Sequence, residues 1–242
     1  MKTQMVGGVY LPEGEVHFVE MLIHKKAIRI VDGKHTYQYH KLKASMDYIP
    51  SNHRRNCIDI GSHVGLWGMW LVKEFNHVHG FEPIKEFQEI WPLNVKENNY
   101  TLYNYALGDD FGFVNLIVPR DQTGGTHVVY NQADIDAALK IQEVMPPDER
   151  GHFIAESIPI APLDSFAIED VDFIKIDVEG FELPIIKGAE ETIKRDRPYM
   201  IIEQKGNEVK HFNGELHEAT NLLKSWGMKD LRVMAGDHIM GW

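Results

Sequence analysis

"CIDIGSHVGLWGMW", residues 57–70, decides the fold: a short apolar strand enters a glycine-rich turn, and the turn opens directly into an apolar helix. Glycines at 61, 65 and 68 supply backbone freedom where a strand hands over to a helix. Outward from that turn the pattern repeats. "HVHGFEP" reads as a second strand, "KEFQEIWPLNVKEN" as an amphipathic helix kinked by Pro92, and "TLYNYALGD" as a third strand. "DFIKIDVEG" is a fourth strand, "LPIIKGAEETIKRD" one helix and "YMIIEQ" a fifth strand. Strands separated by single helices predict right-handed βαβ crossovers and a mainly parallel, doubly wound α/β sheet. After a helix in "ELHEATNLLKSWG", the final "KDLRVMAGDHIMGW" reads as two strands about an Ala-Gly-Asp turn, an antiparallel hairpin that finishes the sheet.

Two regions depart from this alternation. "VHFVEMLIHKKAIRIVDGKHTYQYHK" predicts a β-rich N-terminal segment with a hairpin turn at Asp32-Gly33, and "KLKASMDYI" a helix that stops at Pro50. Residues 110–163 form a long connection holding "FGFVNLIVP", "TGGT" and the polar "ADIDAALKIQEVMPPDERGHF". A connection of that length is expected to be a lid or substrate-binding insertion. The expected organisation is an extension over 1–50 and a main domain over 51–242 that carries the insertion 110–163.

The 242 residues are 43% hydrophobic and 25% charged, the balance of a globular chain. A net charge of −11 argues against nucleic-acid binding, which needs clustered Lys and Arg. The local basic run "KHTYQYHKLK" (34–43) reads as a solvated arm. No apolar run approaches the ~20 residues that cross a bilayer, and the start shows no secretory signal. The single cysteine, Cys57, excludes an internal disulfide and a multi-thiolate zinc site. A cytoplasmic protein is expected, with a neutral or cationic small molecule or a glycan as partner.

Open α/β sheets bind ligands beyond the carboxyl ends of their strands, where strand order reverses. The dinucleotide fingerprint requires glycine two residues after Gly61, where His63 stands, which weakens an NAD reading. Asp59 suits a ligand ammonium better than a pyrophosphate. Glu82 follows Gly61 by about 20 residues, the spacing of an acid that accepts hydrogen bonds from ribose hydroxyls. A nucleoside with an ammonium beside it describes S-adenosylmethionine. His63 is read as supplying its backbone amide and a local hydrogen bond, with cofactor contact as the other reading. His77 and His79 share one strand face and are read as structural.

Behind a β-branched run, "IKIDVEGFE" (174–182) crowds Asp177, Glu179 and Glu182, and crowding of this kind raises a carboxylate's pKa towards that of a general base. Glu182 reads equally as a helix-start acid favoured by the dipole. Glu203 and the "TGGTHV" stretch with His127 are secondary acceptor-site candidates. Lys175 receives no catalytic role, and no metal is expected.

"CIDIGSHVG", "GFEP", "YALGD" and "PLDSF…VDFIKIDVEGFELPIIKGAE" resemble, in order and spacing, the FkbM-type S-adenosylmethionine-dependent methyltransferases, from about Cys57 to Glu203. The resemblance implies a Rossmann-like class I methyltransferase fold, a mainly parallel seven-stranded sheet with an antiparallel C-terminal strand. It implies O-methylation of a sugar, glycan or natural-product hydroxyl. Asp59 and Gly61, in the turn with His63 and Gly65, would then sit at the methionine end of the cofactor. Glu82 would hold the ribose, Leu107 to Asp109 would border the adenine, and Asp177 would lie near the ammonium and sulfonium. Glu179 leads as the base. At His63 the family commonly has asparagine. The competing readings are an NAD(P)-dependent oxidoreductase or epimerase and a non-catalytic nucleoside-binding module. A homo-oligomer could form if the terminal "HIMGW" hairpin extended a sheet between subunits.

Overall fold

A computed structural model describes residues 2–23, 29–129, 135–136, 140, 151–204 and 216–242. The chain opens with strands β1 (Thr3–Val6) and β2 (Val9–Pro12), paired antiparallel about Gly7-Gly8. Helix α1 (His17–Ile23) follows, where a β-rich segment was expected. Phe18 and Leu22 stand four apart and are both buried, and the Glu15 carboxylate accepts the Phe18 amide at 2.7 Å, so one apolar face and a satisfied first turn outweigh the β-branched residues. The Asp32-Gly33 turn, with φ of 50° and 76°, joins the two-residue strands β3 (Ile30–Val31) and β4 (Lys34–His35). Helix α2 (Tyr39–Met46) completes the segment before Pro50.

The βαβ series runs β5 (Asn56–Ile60), α3 (Gly68–Glu74), β6 (His77–Phe81), α4 (Lys85–Asn94) and β7 (Tyr100–Tyr103). The expected third strand is divided, because β8 (Ala106–Leu107) leaves the main sheet. It joins β9 (Gly112–Pro119), β10 (His127–Val129) and β11 (His152–Ala161) in a second sheet of order β10-β9-β11-β8. Most of the polar stretch between β10 and β11 lies outside the described residues. The series resumes with β12 (Val171–Ile176), α5 (Glu182–Lys187), α6 (Glu190–Asp196) and β13 (Tyr199–Glu203), and ends with α7 (Glu218–Ser225), β14 (Lys229–Met234) and β15 (Asp237–Gly241).

The main sheet has the order β14-β15-β13-β12-β5-β6-β7. β15 is antiparallel to both its neighbours and every other neighbouring pair is parallel. This is the α/β class I methyltransferase architecture. β12 is buried at every position, as a strand covered on both faces by helices must be. The chain lays strands outward from β5 in one direction and from β12 in the other, so the reversal of strand order lies between them.

Two expectations need correction. The single helix of "LPIIKGAEETIKRD" is two, because a Cβ on Gly188 would stand 1.9 Å from the Gly108 carbonyl oxygen, and the chain bends there to let the backbones touch. The terminal strand is buried inside the sheet between β13 and β14, so the edge of the terminal hairpin is β14 and not the "HIMGW" strand. The N-terminal segment shares the core: Val9, Leu11, Phe18, Leu22 and Leu42 pack in one cluster with Trp91 and Phe87. Among the described residues no helix is long and apolar enough to cross a membrane.

Candidate active site

A cavity of about 530 Å³ opens at the carboxyl ends of β5, β6, β12 and β13, at the reversal of strand order. Gly61, His63, Glu82, Leu107, Asp177 and Glu179 all line it. Gly61 has φ of 70°, and a Cβ there would stand 2.1 Å from the Asp177 carbonyl oxygen. Its lack of a side chain therefore lets the exits of β5 and β12 meet. Glu82 is buried, and its two carboxylate oxygens accept the amides of Ile84 (2.7 Å) and His63 (2.8 Å). Burial still pushes its carboxyl up to about 7, against the pull of those amides.

Four of the sequence candidates stand elsewhere. Asp59 is fully buried behind the wall, 3.1 Å from the Lys175 ammonium. Gly65 packs on Trp91 and Val95. Asp109 is exposed and outside the lining. Glu182 is also outside it; it begins α5 and accepts the Gly180 amide at 3.0 Å, which matches the helix-start reading. β12 ends at Ile176, so Asp177 and Glu179 lie in the turn beyond the strand. A left-handed Glu179 (φ 52°) followed by Gly180 (φ 97°) bends the chain so that both acids still face the cavity. His127 and Glu203 line it as well. The His127 Nδ1 lies 2.9 Å from the Gly125 carbonyl oxygen, which can only accept, so Nδ1 donates in this bond. His77 and His79 lie outside the lining, bonded to Thr101 and Tyr103.

The sequence matches the Methyltransferase FkbM domain over residues 59–229, more than half of the chain. This chain belongs to the FkbM methyltransferase family. No curated protein matches it. Among solved structures it is similar to methyltransferase FkbM from Methylobacillus flagellatus KT, with 17% identity, a TM-score of 0.44, and coverage of 78% of this chain and 43% of that one. It therefore spans less than half the length of that relative. It is also similar to an O-methyltransferase from Bacillus cereus in complex with SAH, with 12% identity, a TM-score of 0.42, and coverage of 84% and 77%.

The most informative residue of this FkbM site is one that sequence reasoning set aside. The Lys175 ammonium is buried in the cavity wall between Asp59 (3.1 Å) and Asp177 (3.8 Å), and donates to the carbonyl of Gly61 (2.9 Å). Burial alone would lower its pKa; the two carboxylates outweigh burial and hold it above the ordinary lysine value. Lys175 stands opposite Asp59 in the register of β12 on β5, a pairing that no local pattern shows. The N-terminal segment supplies more of the wall than its sequence suggested: Phe18, Tyr37, Gln38 and Lys41 all line the cavity. Burial, and then the acids Asp177 and Glu203, push the Tyr37 phenol well above its usual pKa, so it stays protonated.

Proposed function

We propose that this chain is an S-adenosylmethionine-dependent O-methyltransferase acting on a hydroxyl of a sugar, glycan or small natural product. The observation that carries the reading is Glu82: a buried carboxylate at the end of β6, inside a cavity at the sheet's reversal point. Such a group is served by a ligand that brings hydrogen-bond donors, and the hydroxyls of a ribose are donors of this kind. The cavity volume falls in the range of roughly 300–1,000 Å³ typical of small-molecule sites.

Bound there, S-adenosylmethionine would supply an electrophilic methyl group. The chain's own residues would do the rest. Glu82 accepts the ribose hydroxyls and Leu107 borders the base. Asp177, held by Lys175, faces the ammonium end. Lys175 also ties the glycine turn to β12, which keeps the cofactor floor and the acidic turn in one geometry, and positioning supplies much of the rate in such a transfer. Glu179 accepts the proton that the acceptor hydroxyl loses as its oxygen gains the methyl group. His127 in the cavity lining is the second base candidate. The 123–129 stretch and the N-terminal helices would form the acceptor wall, and an acceptor without a phosphate backbone suits the charge of −11.

Glu179→Gln tests the assignment. Turnover of labelled cofactor on a panel of sugar acceptors should fall by about 10²–10⁴-fold, the usual worth of a general base. Affinity for S-adenosylhomocysteine should stay within about two-fold, because the substituted amide keeps the shape of the wall. Full activity in this variant would remove Glu179 as the base.

A further inference from the structure

Two buried carboxylates, Glu15 and Glu82, are linked through Thr123 and His63. Glu15, 1% exposed, accepts three hydrogen bonds: the Phe18 amide at 2.7 Å, the Thr123 amide at 2.6 Å and the Thr123 hydroxyl at 2.5 Å. The Thr123 oxygen also lies 2.9 Å from His63 Nε2, and the His63 amide donates to Glu82 at 2.8 Å. Glu15 belongs to the N-terminal segment, Thr123 to the insertion, His63 to the glycine turn and Glu82 to the end of β6. These contacts therefore connect the N-terminal segment, the insertion, the glycine turn and the end of β6.

The direction of each bond follows from donor counting. The Thr123 hydroxyl donates its single proton to the Glu15 carboxylate. The Thr123 oxygen can then only accept from the ring, which places the His63 proton on Nε2. Burial, with Lys175 nearby, lowers the His63 pKa to about 3, so the ring stays neutral and has one proton to place. The ring is held between Phe18 (5.1 Å between centroids) and Phe87 (4.3 Å). Phe18 in turn presses on Gly124, where a Cβ would stand 2.7 Å from its ring.

We infer that Glu15 is a positioning residue for the nucleoside end of the site: through Thr123 it sets the Nε2–H tautomer of His63 and so the placement of the amide that holds Glu82. This rests on the cofactor reading above. It makes the N-terminal segment part of the cofactor site, although Glu15 itself touches no ligand. His63 then has a reason to stand in the turn, since a histidine can bond Glu82 with its amide and Thr123 with its ring at once.

The test combines ¹⁵N NMR of the His63 ring, assigned by difference with His63→Asn, with calorimetric titration of S-adenosylhomocysteine. The free protein should show the Nε2–H tautomer. Thr123→Val removes the acceptor of that proton at nearly constant shape. It should abolish the tautomer preference and weaken S-adenosylhomocysteine on the order of ten-fold, the effect of leaving a buried donor unpaired. Thr123→Ser, which keeps the hydroxyl, should restore both. An Nδ1–H ring in the unsubstituted protein overturns the inference while leaving the cofactor reading intact. So does Thr123→Val affinity equal to that of the unsubstituted protein. An unsubstituted protein with the Nε2–H ring that binds no S-adenosylhomocysteine overturns the cofactor reading and the positioning role with it.

Discussion

Glu82 is the residue on which the cofactor reading turns, and its protonation gives that reading a pH dependence. The folded protein favours the acid form, since burial lifts the carboxyl from 4.5 to about 7. Between those values the native state binds more protons than the unfolded one, so the free protein loses stability as pH rises through this window. Binding runs the other way, because ribose hydroxyls donate best to the ionised carboxylate. Affinity for S-adenosylhomocysteine should therefore rise about ten-fold between pH ~6 and ~8, and Glu82→Gln should flatten the profile at the weaker level. A flat profile in the unsubstituted protein would contradict the assignment. Glu82 was legible in the sequence because its spacing from Gly61 is set by one helical crossover. The bonds of Glu15 to Thr123 were not legible, because the two lie more than a hundred residues apart and no local pattern joins them.

At the scale of elements, the strands and the glycine turn are legible because a buried parallel strand is a nearly continuous apolar run and each is followed by its helix. Elements whose limits are set by tertiary contacts are not. α1 reads as strand because its Val and Ile residues are β-formers, yet Phe18 and Leu22 need a helical spacing to reach the core together. The helix after "IKIDVEGFE" reads as continuous, since nothing local reveals that Gly188 meets the Gly108 backbone. That contact joins the α5–α6 corner to the residue after β8 and gives a direct test. Gly188→Ala must push the two backbones apart and should destabilise the protein by about 2–3 kcal/mol, the cost of overpacking a tight contact. A change below ~0.5 kcal/mol in the urea midpoint, converted through the m-value, would show that the corner yields freely.

Across the whole molecule, the N-terminal segment and the βαβ series are joined by buried polar bonds as well as by the shared core. The Asn94 side chain, at the end of α4, accepts the Tyr10 amide at 2.7 Å and donates to the carbonyls of Tyr10 and Val64, each at 2.8 Å. Asn94→Ala leaves three backbone groups without this partner and should cost about 2–4 kcal/mol, with one unfolding transition retained because the segment and the main sheet share one core. A separate early transition for the N-terminal segment would contradict that unity. The same integration places α1 and α2 in the cavity wall, so the proposed S-adenosylmethionine site is drawn from the N-terminal segment and the main sheet together. Calorimetric titration of the intact chain with S-adenosylhomocysteine, and in parallel with NAD, tests it most directly. Saturable one-to-one binding of S-adenosylhomocysteine and none of NAD is the expected result; binding of NAD alone, or of neither, would contradict the proposed cofactor.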